Sequence, residues 1–279
     1  MRLHISGDTP MRSLRKPMLN TVIYGTPTAA PPLLIAHGLF GSARNWGVIA
    51  KRLSEKREVR AVDMRNHGES PWHESNGYHE MAGDLAASMD SRSDVLGHSM
   101  GGKTAMVLAL TQPERVRKLI VADIAPVGYG HTQMSLIEAM RRLDLNAIKT
   151  RGEADLLIQN DVPDPRVRAF LLRSLDLANR RWRLNLDVLA AEMDKIIGFP
   201  DIEAEFNGSA LFLSGADSDY VRPEHRERIR RRICTPVPRA TCRTRRPAWC
   251  CSTARPTRRR RSSTSSSTAP AASRGSPRR

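Results

Sequence analysis

Ser99 is the residue around which chemistry can be organised. It stands in Gly97-His98-Ser99-Met100-Gly101, a hydroxyl with glycine two places to either side. That spacing suits a sharp turn from strand into helix, because glycine leaves room where the backbone doubles back. The apolar run before it, residues 94–97 (DVLG), reads as a strand, and residues 99–111, with TAMVLAL at their centre, read as a helix. A hydroxyl on such a junction faces a substrate, and the helix N-terminus behind it stabilises negative charge developing on a carbonyl oxygen. The chemistry implied is nucleophilic acyl transfer.

Other elements must hold that junction. Residues 21–24, 32–36 (PLLIA), 59–63 (VRAVD), 118–123 (KLIVAD) and 209–214 (SALFLS) are further short apolar runs of strand type. Helical patterns at 45–56 and 79–90 lie between them. The alternation predicts an α/β protein with a mainly parallel sheet, whose sites form at the carboxyl ends of the strands. His37-Gly38-Leu39-Phe40-Gly41 follows one such end. It offers a second oxyanion donor, the Leu39 N–H with Phe40 as the neighbouring alternative, beside the Met100 N–H. Losing one donor of this kind costs ~10²–10³ in turnover. Residues 135–144, 167–177 and 186–197 are helical by periodicity with no strand between them, so 130–205 reads as a helical cap over a pocket.

The chain has 279 residues, enough for a sizeable core, and 40% hydrophobic residues with a mean hydropathy of −0.44. No apolar run approaches the ~20 residues needed to span a bilayer, and no secretory leader follows the first methionine, so a cytoplasmic protein is expected. The net charge of +16 suggests nucleic acid until it is divided by position. From Arg231 onward there are 14 arginines and no lysine or carboxylate, whereas residues 1–230 hold 31 basic against 29 acidic groups. The basicity belongs to the tail alone, which argues against nucleic acid as the partner of the body.

All four cysteines, at 234, 242, 250 and 251, fall in that tail, in no common zinc spacing and with no histidine after Ile233. A nucleic-acid-binding arm and an inert disordered tail are two readings of it. A third is a change of reading frame near Arg231, which the excess of 38 Arg over 7 Lys, typical of GC-rich coding, makes natural. The nucleotide sequence around that codon decides the matter. The expected organisation is an extension at 1–17, core at 18–129, cap at 130–205, core again at 206–230, and the tail at 231–279. No metal, nucleotide or flavin motif is present, and the sequence leaves oligomeric state open.

The segments HGLFGSARNW, DMRNHGES, VLGHSMGGK and VADIAPVGY, in that order, resemble the α/β-hydrolase superfamily, and more narrowly its YbfF-type bacterial esterases and their thioesterase-like relatives. The similarity runs from about Met18 to Arg230, and Met18 is a candidate start. It implies the α/β-hydrolase fold and cofactor-free hydrolysis of carboxylic esters, including acyl-CoA thioesters. Residue by residue, Ser99 matches the nucleophile and Asp123 the acid that orients a histidine. Ser218 matches an auxiliary hydrogen-bonding serine, with Asp217 or Asp219 as the runner-up acid. Phe40, Trp46 and Tyr220 are the expected substrate contacts. Gln133 falls near the place where the family's cap carries an arginine.

The same family supplies its histidine late, in a G-H-W-like turn that this chain lacks. His225, in a charged helical segment, reads as solvated surface, His37 as structural, and His98 as pointing away from the site. His67 and His131 are the remaining stand-ins. The gap coincides with the change in composition, so one frame change explains both. Loss of a triad member costs up to ~10⁶ in turnover and leaves ~10³-fold over water. The expectation is therefore a serine esterase impaired in this chain. The alternatives are a catalytically dead scaffold that binds a ligand, or haloperoxidase or C–C hydrolase chemistry on the same fold.

Overall fold

The computed structural model describes residues 18–233 apart from Asp217. The extension at 1–17, the four cysteines and the tail beyond Ile233 lie outside the described residues. Continuous apolar stretches build the sheet. β1 (Thr21–Tyr24), β2 (Leu33–Ala36), β3 (Val59–Val62), β4 (Ser93–His98), β5 (Val116–Ala122) and β8 (Ser209–Leu213) lie in the order β1-β3-β2-β4-β5-β8. Within these six described strands only the β1–β3 pairing is antiparallel. Every residue of β2 is buried, as expected of a central strand with helices on both faces.

Register decides where the site forms. Ala36 pairs with Gly97, His98 with Ala122, and Ala122 with Leu213. The chain therefore leaves four neighbouring strands at one level, at His37, Ser99, Asp123 and Ser214. The strand before Ser99 is longer than the sequence suggests, because β4 begins at Ser93 and shifts register against β5 between Ser93 and Asp94.

On the faces of the sheet lie α1 (Gly47–Leu53), entered through a 3-10 turn at Ala43–Trp46, then α2 (Tyr78–Ala87) and α3 (Met100–Thr111). Eleven of the twelve α3 residues are buried.

The cap departs from the expected three helices. It holds five, α4 (Met134–Arg141), α5 (Arg151–Ile158), α6 (Pro165–Leu171), α7 (Leu186–Ala191) and α8 (Met193–Ile197). α5 and α6 start on side-chain caps, Thr150 accepting from Glu153 N and Asp164 from Arg166 N, with Pro165 at the first helical place of α6. The run at 167–177 is not one helix. After α6 it tightens into a 3-10 turn at Leu172–Ser174 and then pairs as β6 (Leu175–Asp176) with β7 (Arg181–Trp182), so the expectation of no strand in the cap is corrected. Asp176 drives this, because its carboxylate accepts from Asn179 and Arg183 across the turn and so closes a hairpin rather than extending a helix. Likewise 186–197 breaks at Glu192, the C-cap of α7 and N-cap of α8.

α9 (His225–Ile233) returns to the core, where Ile229 and Ile233 are buried and Phe206 N donates to Arg232 O. The helix thus runs past the point where the composition changes. No described helix is long and apolar enough to cross a membrane.

Candidate active site

Ser99 occupies the junction between β4 and α3 with φ +51° and ψ −119°, a left-handed backbone that costs a non-glycine residue of order 1–3 kcal/mol. The neighbours enforce it. A Cβ at Gly97 would fall on the Gly101 carbonyl, and one at Gly101 would lie 2.5 Å from the carbonyl oxygens of both Ala36 and His37. Ser99 N donates to Ala122 O (3.1 Å) and Ser99 O accepts from Lys103 N (3.0 Å), which ties the turn to β5 and to the first turn of α3. The half-buried hydroxyl faces a cavity of about 590 Å³ and makes no hydrogen bond among the described residues.

The loop after β2 forms the opposite wall. Gly41 N donates to Gly38 O (3.0 Å), closing a tight turn, and a Cβ at Gly38 would meet both His98 Nδ1 (2.9 Å) and Ser99 Cβ (3.1 Å). Phe40 has φ +62° and its N–H donates to His67 Nε2 (3.2 Å). That bond occupies the Phe40 amide, while Leu39 and Met100 both line the cavity.

Each imidazole has a distinct place. His37 Nδ1 bonds Gly38 O (2.8 Å) while its Nε2 accepts from Met64 N (2.9 Å). His67 uses Nδ1 on Arg65 O (2.8 Å) and Nε2 on Phe40, and the two rings meet edge to face at 5.1 Å. Burial pushes both pKa values down, that of His67 to about 3. With both nitrogens occupied, neither ring can take a proton from serine, so His67 is withdrawn as a stand-in. His98 does not point away as expected. Its ring lines the same cavity, edge-on to Trp46 at 6.1 Å, and burial lowers its pKa against the opposing field of Asp123.

Asp123 follows β5 at φ +56°, with its N–H on Leu213 O (2.7 Å) and its Oδ1 accepting from Gly215 N (3.3 Å). The Ser218 hydroxyl accepts instead from Tyr220 N (3.3 Å), so it steadies the loop rather than the Asp123 carboxylate. Of the runner-up acids, Asp219 is paired with Arg222 (3.3 Å) and Asp217 lies outside the described residues.

Around the rim, Tyr129 donates to Tyr220 O (2.7 Å) and accepts from Ala125 N (2.9 Å), while His131 Nε2 lies 3.0 Å from the Tyr220 hydroxyl. His225 is half-buried rather than solvated, with its ring at 90° to Tyr129 and its Nδ1 accepting from Arg222 N. Phe40, Trp46, Tyr220 and Gln133 all line the cavity, and Leu136, Val167, Phe170 and Ile197 supply an apolar wall from the cap.

Sequence reasoning missed Lys103. It is 1% exposed, lines the cavity one turn along α3 from Ser99, and donates to Ile197 O (2.8 Å) and Gly198 O (2.5 Å) at the end of α8. Its Nζ lies 4.8 Å from the centre of the Tyr129 ring, and burial draws its pKa down to about 7. A lone charge in an otherwise apolar helix was the signal. Among the described residues no cluster of side chains could hold a metal ion.

A profile of the alpha/beta hydrolase fold matches residues 31–154. The sn-1-specific diacylglycerol lipase ABHD11 of Mus musculus is 40% identical over 215 residues, 72% of this chain and 70% of that protein. Esterase YbfF of Escherichia coli (strain K12) is 36% identical over 202 residues, covering 70% of this chain and 78% of its own. A solved marine microorganism esterase superposes with a TM-score of 0.71 at 34% identity, over 77% of this chain and 87% of that one.

Proposed function

The chain belongs to the α/β-hydrolase family as a YbfF-type esterase, a carboxylic ester hydrolase, and within that family we propose that it cleaves acyl esters or thioesters through an acyl-enzyme on Ser99. Ser99 Oγ bonds to the carbonyl carbon as its proton passes to solvent water, which returns a proton to the leaving group. The Leu39 and Met100 N–H groups hold the oxyanion, and the bond to the leaving oxygen or sulfur then breaks. The alcohol or thiol takes a proton, and water attacks the acyl-enzyme to release the acid and restore the hydroxyl. Asp123 is the acid of this reading, and Ser218 steadies the loop beside it. The apolar cap wall suits an acyl chain, in keeping with a relative named as a diacylglycerol lipase.

The observation that carries the proposal is the left-handed Ser99 junction facing a cavity that Leu39 and Met100 also line. Turnover is expected to be low, because a serine without a general base is a poor nucleophile near neutral pH. Hydrolysis of p-nitrophenyl acyl esters tests this. The wild-type rate should exceed that of Ser99→Ala, while remaining about 10³-fold or more below a complete triad. Equal rates would favour a ligand-binding scaffold, a reading supported by the full engagement of the His37 and His67 nitrogens.

A further inference from the structure

Beside the acyl cavity lies a second, smaller one of about 230 Å³, lined by Ser42, Arg44, Asn45, Arg151 and Arg173. Three guanidinium-bearing side chains from separate segments converge on it, the 3-10 turn after β2, the start of α5 and the 3-10 turn after α6. Elsewhere in the cap, Arg141, Arg142, Arg166, Arg168 and Arg183 each reach a carboxylate. Arg44, Arg151 and Arg173 reach none among the described residues. Like charges gathered without a counter-charge repel one another, and an anion placed between them reverses the sign of that energy.

All three side chains are exposed, and Arg151 is held in place. Arg151 donates from Nε to Leu172 O (3.2 Å) and from a terminal nitrogen to Leu175 O (2.8 Å), which leaves its other terminal N–H groups free. Ser174 Oγ donates to Phe40 O (3.2 Å), which ties the backbone next to Arg173 to the loop that carries Leu39, while the Arg173 side chain itself is exposed. Asn45 forms part of both cavities, and its Oδ1 is already used by Ser42 N (2.7 Å), so its amide N–H groups are spare donors. An anion here would lie one side chain away from the acyl site and in fixed register with it.

We infer that this basic cavity is an anion subsite for a phosphate group carried by the substrate. Guanidinium forks match phosphate oxygens in pairs, which is why arginine rather than lysine serves there. The inference rests on the esterase reading only for the identity of the ligand, since the basic cavity is independent of Ser99.

Two phosphate sources share this chemistry, a lipid head group and a soluble phosphorylated carrier, and calorimetry separates them. Binding is measured in Ser99→Ala protein, so that no turnover is needed. One arm compares a decanoylglycerol phosphate with decanoylglycerol, and the other compares S-decanoyl phosphopantetheine with its dephosphorylated form. In at least one arm the phosphate should tighten binding about tenfold or more. That preference should fall about tenfold in Arg44→Gln/Arg173→Gln protein and should weaken with salt. No preference in either arm, or one that survives the double substitution, overturns the inference. Because the readout is binding, it stands apart from any failure of ester hydrolysis.

Discussion

Lys103 shows most clearly what one buried charge does in this fold. Its ammonium meets carbonyls and the Tyr129 ring but no carboxylate among the described residues, and burial draws its pKa to about 7. Between pH 7 and the ~10.4 of an unfolded lysine, the unfolded chain therefore holds a proton that the folded chain has released. Stability should rise with pH across that window, by up to about 1.4 kcal/mol per unit, and that contribution is lost as pH falls to 7. In Lys103→Met the rise should vanish. Urea midpoints of the two proteins at pH 7 and pH 9 check this, and parallel curves would mean that the Ile197 and Gly198 carbonyls keep the ammonium charged. The residue is legible in sequence only as a charge out of place, because nothing in GGKTAM tells which carbonyls will fold over it.

At the scale of elements, β8 is the last strand of the described sheet, and its two sides differ. Phe212 is buried, while Leu211 and Leu213 on the other face are 36% and 40% exposed. A free edge with apolar residues on one side invites association between copies. Leu211→Lys should lower light scattering in concentrated solution while moving the unfolding midpoint by less than about 0.5 kcal/mol. A loss of about 2 kcal/mol would instead mean that chain outside the described residues packs on this face. Strand β8 itself was legible from its apolar run, as were β2 and β4. The β6–β7 hairpin was not, because a helical period and a hairpin compete over a short stretch, and the contacts of Asp176 with Asn179 and Arg183 decide between them.

For the whole molecule, charge divides the chain close to the end of α9. Residues 1–230 are nearly neutral, and twelve arginines follow Ile233. Ile233 is itself buried at the end of α9, so a truncation that respects the core must fall after it rather than at Arg230. A chain ending at Ile233 should keep its unfolding midpoint and its rate on p-nitrophenyl esters. It should also lose any retention on a polyanion column that the full chain shows, a retention that falls steeply with salt. A truncated chain that no longer unfolds cooperatively would mean that the tail completes the core.

Local sequence by itself determined the alternation of strands and helices, the glycine-flanked junction at Ser99 and the absence of a late histidine, because each is a matter of residue type and short spacing. Only the tertiary structure decided how the groups meet. Strand register brings the ends of β2, β4, β5 and β8 to one level, which makes neighbours of Leu39, Ser99 and Asp123. Packing turned His98 toward the cavity, took the Phe40 amide for His67, and gathered Arg44, Arg151 and Arg173, which lie far apart along the chain. Such contacts depend on distances between segments that no local pattern encodes.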